Sequence, residues 1–223
     1  MIQHGLAPDK RLSNNRLEAA LAYAREGWPV FPCKRDKHPY TAHGYKDASC
    51  DPAQINVWWT QWPDANVGFA TGNSTKVVVV DVDDRHGGSA SLRDLFAGIL
   101  VETRMAVTGG GGFHQFFLSD QPVRNSAGLL GQGLDIRGDG GYVILPPSIH
   151  ASGEPYRWIN IDEMLPLPAI ILDRLRRADV PYEALPSNGD GMIIEGGRND
   201  RLTRLAGTMH SKGMSKEGIV SGL

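Results

Sequence analysis

Cysteine is almost missing from this sequence. Two of them, Cys33 and Cys50, stand in a chain of 223 residues, too few for a disulfide framework, so a cytoplasmic compartment is expected. Long hydrophobic runs are missing too: no apolar stretch approaches the ~20 residues of a spanning helix. The opening MIQHGLAPDKRLSNN has no apolar segment of the signal-peptide kind, and no membrane partner is expected. Neither sign of charge prevails. A formal net charge of −2 leaves any nucleic-acid contact to a local basic patch. The glycine run at 109–112 is not followed by Gly-Lys-Ser/Thr, which excludes a Walker A phosphate loop. What remains is a chain with 41% apolar residues, enough to bury the cores of one or two domains.

Residues 1–12 read as a loose tail, followed by an ordered body over 13–180. RLEAALAYAREG is a helix with Leu17, Leu21 and Ala24 on one stripe and Gly27 at its C′ position. WPVFP is a short strand. DPAQINVWWTQWP is a second helix, with Asp51 as N-cap and Pro52 at N1, stopping before Pro63. Its Ile55, Trp58, Trp59 and Trp62 share a face, which reads as core rather than as a platform for stacking bases. NVGFATG, KVVVVDVD and GGFHQFFL are strands, and four consecutive valines imply a central strand buried on both faces. Residues 89–100, containing SLRDLFAGIL, read as a helix. GLDIRGDGGYVILPPS reads as two strands joined at an Asp139-Gly140 turn. YRW adds a strand, and LPAIILDRLRRA is a helix with a cationic end. Residues 181–195 have the composition of a linker, and 196–223 begin a helical module that stops abruptly. The chain is therefore expected to belong to something longer.

The stretch VVVVDVDD, residues 77–84, runs the most apolar strand into adjacent carboxylates. Alternation puts Asp81 and Asp83 on one face. Two carboxylates this close repel when ionised, unless a cation lies between them or one stays protonated. Hard divalent ions prefer oxygen, and a same-face pair can bridge two of them ~3.5–4 Å apart. The plainer alternative is a strand that ends in an Asp-rich turn in solvent. Asp135, in GLDIRGDGG, supplies a third carboxylate, and Arg137 on the same face would suit a phosphate. Asp135 could instead pair with Arg137 as structure.

In TGGGGFHQFF, glycines such as Gly110 and Gly111 let backbone N–H groups approach an anion. His114 stands on the strand leaving that loop, either beside the anion or as a hydrogen-bonded core histidine. The loop at 33–49 carries Lys34, Arg35 and Lys37, candidates for template or triphosphate contact against the alternative of a solvated loop. Cys33, His38, His43 and Cys50 are zinc-ligand types, but their spacing matches no common zinc pattern and zinc is not expected.

Together these pieces resemble the primase–polymerase (prim-pol) domain of the archaeo-eukaryotic primase superfamily, the kind found in plasmid and phage replication proteins. That family's DhD pair, sxH element and later hD correspond to Asp81-Val82-Asp83, Gly112-Phe113-His114 and Leu134-Asp135. Gly112 replaces the small hydroxyl residue often seen there. The resemblance covers about residues 16–178, through ALAYAREGWPVFP, KHPYTAHGYKDAS, WWTQWPDANVGFATG, DIRGDGGYVILPPSIHASGEPYRW and LPAII. EGGRNDRLTRLAGTMHSKGMSKEGI is similar to the start of the helical module that often follows.

The resemblance implies a mixed α+β fold, with an N-terminal α/β half packed on an RRM-like catalytic half and the active site between them. It implies DNA primase/polymerase activity in a bacterial, archaeal or phage-infected cell, on a single-stranded template and primer with dNTP or NTP. Two Mg²⁺ or Mn²⁺ ions would be held by Asp81, Asp83 and Asp135. His114 would contact the triphosphate with Arg137 assisting, and Tyr142 would stack on the sugar unless it is simply a packed core tyrosine. A helicase or further C-terminal domain is the expected partner. Two alternatives stay open: a two-metal nuclease or phosphatase, and a nucleic-acid-binding module with a vestigial site.

Overall fold

A computed structural model describes residues 15–179; the expected tail over 1–12, the linker over 181–195 and the helical module over 196–223 lie outside them. Helix α1 (Arg16–Arg25) starts at Asn15, whose side chain accepts from the amides of Leu17 and Glu18. Such a cap satisfies amides that the first turn leaves without partners. Its buried face is Ala19, Ala20, Tyr23 and Ala24, with Leu17 and Leu21 at the margin. Gly27 follows at φ +81°, as the C′ position requires. Helix α2 (Pro52–Gln61) is capped by Asp51 and buries Ile55, Trp58 and Trp59. Those tryptophans are core. Trp62 is half-buried and stacks on Tyr40 at 4.8 Å.

Strands β1 (Val30–Cys33), β2 (Asn66–Ala70) and β8 (Tyr142–Leu145) form one antiparallel sheet in the order β1-β2-β8. A second sheet runs β6-β7-β3-β5-β4-β9. Its strands are β3 (Val77–Val82), β4 (Arg104–Val107), β5 (Phe113–Leu118), β6 (Ser126–Ala127), β7 (Leu134–Arg137) and β9 (Arg157–Asn160), with β10 (Leu165–Pro166) added parallel to β5. Helices α3 (Gly88–Leu95) and α4 (Ala169–Asp179) complete a mixed α+β architecture.

The valines divide between two cores by strand parity. Val77 and Val79 pack with Ala106, Phe116 and the first sheet's Phe31, Phe69 and Leu145. Val78, Val80 and Val82 pack the other way, against Leu95 of α3 and Ile171 of α4. Thus β3 is central and buried on both faces, as the valine run predicts. Asp81 shares the parity of Val77 and Val79, so it emerges on the face that looks toward the first sheet. An aromatic cluster ties the layers together. Trp28 stacks on Phe69 at 4.5 Å and Phe116 at 5.9 Å, while Trp158 Nε1 donates to Tyr23 Oη at 2.9 Å.

Two expectations change, and one strand was not foreseen. The helix read over residues 89–100 spans only Gly88–Leu95, because the chain turns through positive φ at Ala97 and Gly98 and the Gly98 amide folds back to the Arg93 carbonyl. The strands read as joined at Asp139-Gly140 do not pair: β7 belongs to the second sheet and β8 to the first. That crossing of residues 138–141 carries the chain from one wall of the cleft to the other. The strand β4 has too short an apolar pattern to read from sequence, and pairing with β5 makes it.

Candidate active site

Register assembles the site. β3 runs antiparallel between β5 and β7, setting Asp81 opposite His114 on one side and Asp135 on the other. Residues from three separate segments thus stand in one row across adjacent strands. Arg137, two positions along β7 from Asp135, donates from Nη2 to Asp135 Oδ2 at 2.9 Å and to Asp81 Oδ2 at 3.3 Å. His114 Nε2 lies 3.5 Å from Asp81 Oδ1. Burial alone would raise the Asp81 pKa. The contact with His114 and the charges of His114, Arg137 and Lys37 outweigh it and hold Asp81 well below the usual carboxylate range.

His114 packs as part of the core. Its ring is buried against Phe116 and Tyr156, at centroid distances of 6.1 and 6.2 Å. Among the described residues its Nδ1 has no hydrogen-bond partner, whereas buried polar groups are normally satisfied. It is a core-packed histidine that also faces the central carboxylate.

Asp83 is held differently. β3 ends at Val82, and Asp83 caps a 3₁₀ turn over Asp84–His86. Its Oδ1 accepts from the Arg85 amide and Nε, both at 3.1 Å; its Oδ2 accepts from Arg85 Nη2 at 2.9 Å and lies 3.0 Å from His86 Nδ1. The Arg85 side chain draws its pKa down to about 2 against burial, with His86 helping. The Asp83 amide donates to the Gly133 carbonyl at 2.9 Å. Gly133 sits at φ +70°, and a Cβ there would come within 2.7 Å of the Asp83 carbonyl oxygen.

The glycine run is the hairpin loop from β4 to β5, closed by the Thr108 amide donating to the Gly112 carbonyl at 2.8 Å. A Cβ on Gly112 would overlap the Val82 carbonyl oxygen. Packing therefore enforces glycine where the family often has a hydroxyl. A hydroxyl stands beside it all the same: Thr108 Oγ1 accepts from the Gly112 amide at 3.2 Å.

The cleft between the sheets has two lobes sharing Lys37, Asp81 and Arg137. The polar lobe, about 320 Å³, adds Asp83, Arg85, His86, Thr108, Gly110 and Asp135. The aromatic lobe, about 210 Å³, adds His114, Asn125, Tyr142 and Tyr156. Tyr142 donates from Oη to the Lys37 carbonyl at 3.1 Å and packs edge-on to Phe31. It is both packed and exposed to the cleft.

Of the basic loop only Lys37 reaches the cleft, with φ +74°. Lys34 lies 5.6 Å from the Tyr40 ring centroid and Arg35 is exposed; neither lines a lobe, so their expected triphosphate contact has no support in the geometry. Gly111, at φ +88°, does not line it either, while Gly110 does. Cys33 is buried in β1, His43 Nδ1 is 2.9 Å from Asp47, His38 is beside Asp36 and Cys50 is exposed. Arg85, His86, Thr108, Asn125 and Tyr156 join the site without having been singled out in the sequence. Only the first two carry a signal, as charges immediately after the carboxylate pair in DDRHGG.

Three carboxylates stand against arginine, lysine and histidine, in a cleft with glycine backbone on one wall and tyrosine on the other, and cationic groups of this kind suit a phosphate. Residues 20–170, which include every residue lining the cleft, match the family model described as bifunctional DNA primase/polymerase, N-terminal, and the chain belongs to that family. No curated protein matches. Membership brings nucleotidyl transfer of the DNA primase/polymerase type, with DNA and nucleotides as substrates. No helix among the described residues is long and apolar enough to cross a membrane.

Proposed function

We propose that this chain extends a primer strand on a single-stranded DNA template by metal-dependent nucleotidyl transfer, in the replication of a plasmid, phage or prophage. The observation that carries the reading is the row His114–Asp81–Asp135 across three adjacent strands, flanked by Arg137 and opening into one cleft. Asp81, Asp83 and Asp135 all line the polar lobe. This oxygen donor set fits Mg²⁺ or Mn²⁺ by chemistry. Among the described residues no three carboxylate, histidine or cysteine side chains already stand together as a metal site; Asp83 is engaged with Arg85 and His86.

Two divalent ions held there would supply Lewis acidity, lowering the pKa of the attacking 3′-hydroxyl and neutralising the departing pyrophosphate. The remaining work falls to the chain's own groups. Arg137 bridges Asp81 and Asp135 and aligns them, and its charge helps keep Asp81 ionised. Lys37 offers charge at the junction of the lobes, where a triphosphate would lie. His114 donates a hydrogen bond to a phosphate oxygen, and Tyr142 lies against the sugar and biases the choice between dNTP and NTP. A helicase or further C-terminal domain would deliver the template.

Incubating the chain with primed and unprimed single-stranded DNA, Mg²⁺ or Mn²⁺ and labelled dNTPs tests this reading. Lengthened primers are expected. Shortened strands would assign the same cleft to a nuclease, and an unchanged strand under every metal would leave only a binding module. DNA binding by this chain should be weak and fall steeply with salt, because a net charge of −2 confines phosphate contacts to local patches. Tight binding that survives high salt would argue for base stacking instead.

A further inference from the structure

Asp83 is saturated. A carboxylate offers about four lone-pair positions, and in this structure protein donors engage all of them: the Arg85 amide and Nε at Oδ1, Arg85 Nη2 and the His86 ring at Oδ2. Asp83 cannot coordinate a cation until one of these contacts opens. The backbone contact is fixed by the 3₁₀ turn, so the side chains of Arg85 and His86 are what must move. Arg85 is free to do so, since its side chain is 62% exposed. Exposed pairs of this kind are weak.

A guanidinium released from Asp83 stays inside a lobe that also holds Lys37, Thr108 and the Gly110 backbone. Its Nη2 already lies 3.8 Å from the Cβ position of Gly110, over the glycine-rich hairpin. Guanidinium presents a planar fork that matches phosphate as well as carboxylate, and it keeps its charge at any working pH. We propose that Arg85 serves two anions in turn: it occupies Asp83 until a divalent cation takes that carboxylate, and it then binds the polyphosphate of the incoming nucleotide. This rests on the nucleotidyl-transfer reading above and assigns a nucleotide-binding residue to it. The exchange couples the two ligands. Cation binding frees the group that grips the triphosphate, and by thermodynamic reciprocity the triphosphate, by holding Arg85 away, favours the cation at Asp83.

The two halves separate in binding experiments that need no turnover. Mn²⁺ affinity is measured without nucleotide, by the paramagnetic resonance of the free ion. The affinity for dATP is measured without DNA at saturating Mn²⁺, where Asp83 is already taken by the cation and no turnover occurs. Arg85→Ala is expected to bind Mn²⁺ several-fold more tightly than wild type, because Asp83 is vacated, and dATP several-fold more weakly. Arg85→Lys, which keeps the charge but cannot cover both oxygens, should also gain Mn²⁺ affinity while recovering part of the dATP affinity. A weaker or unchanged Mn²⁺ affinity in Arg85→Ala, or an unchanged dATP affinity, overturns the assignment. Both variants are surface changes, and matching thermal melts would exclude misfolding as the cause. A wild-type chain that binds neither probe overturns the proposed function as well, whereas a wild type that binds both identically to Arg85→Ala overturns only the role of Arg85.

Discussion

Asp81 and Asp83 are two residues apart in sequence and line the same cavity, yet they are built by different parts of the fold. Asp81 is fixed by sheet register: strands on both sides pair with its own backbone, and the groups that face it, His114, Asp135 and Arg137, ride on those strands. Asp83 lies just past the end of the strand, where a turn of its own sequence wraps Arg85 and His86 around it. The first arrangement can change only if the sheet changes. The second can change by side-chain rotation. A site that needs both a rigid reference and an adjustable partner obtains them from one strand by running it out of the sheet between the two carboxylates.

Breaking the rigid half should cost most. Asp81→Asn keeps the volume and removes the charge, and metal-type stabilisation of a transition state amounts to several kcal/mol. Primer extension should therefore fall by roughly 10²–10⁴-fold at 1.36 kcal/mol per decade, with the circular dichroism spectrum unchanged. Simple carboxylate repulsion would make the truncation Asp81→Ala neutral or stabilising, but the structure changes that expectation. Asp81 is balanced by Arg137 and His114, so removing it strands buried polar partners and should lower the melting temperature. Wild-type extension by Asp81→Asn would end the metal assignment.

His114→Ala comes next. Losing a donor whose contact strengthens in the transition state costs ~10²–10³ in rate; a contact equally strong in the ground state raises KM and spares kcat. Because the ring is buried, the variant will also melt earlier, so the kinetics decide. A lower melting temperature with unchanged kinetics would leave His114 as core alone. Gly112→Ser is the sharper probe of the adjacent loop. It restores the hydroxyl often found in the family, but its Cβ would overlap the Val82 carbonyl oxygen beside Asp83. Overpacking of this kind costs ~1–3 kcal/mol, and activity should drop with stability rather than rise. A more active Gly112→Ser would show that the strands have room to part.

What could be read from sequence follows the same division. The alternation of VVVVDVD is a period-2 signal, and it located the central strand, its two buried faces and the emergence of Asp81 correctly. Caps at Asp51 and Gly27 were legible because they depend on neighbouring residues only. The pairing of β8 with β2 instead of β7 was not legible, since turn chemistry at Asp139-Gly140 is compatible with either and long-range packing chooses. Arg85 and His86 were visible as letters, but their engagement with Asp83 depends on the 3₁₀ turn that the end of the sheet imposes. Lys34 and Lys37 looked equivalent in the basic loop; the positive φ at Lys37 aims that part of the loop at the cleft and leaves Lys34 against Tyr40.

The smallest effect concerns the adjustable half, and pH isolates it. The pKa of Asp83 is about 2 in the folded chain, against ~3.9 for an unfolded aspartate. A depressed pKa means that the carboxylate stabilises the fold fully above the unfolded value, and that this contribution fades as pH falls from ~5 and is gone below about 2. The partners are exposed side chains, so the contribution should be under ~1 kcal/mol, or a few degrees in melting temperature for a domain of this size. The measurement is the melting temperature of wild type and Asp83→Asn between pH 7 and pH 2. Wild type should be more stable at neutral pH, and the two curves should converge toward pH 2. The carboxamide can still accept the Arg85 amide, so the turn itself survives the change and the gap reports the charge. A gap that stays constant across the range would mean that Asp83 is held by turn geometry instead of by its ion pairs, and the contrast with Asp81 would then be one of position alone.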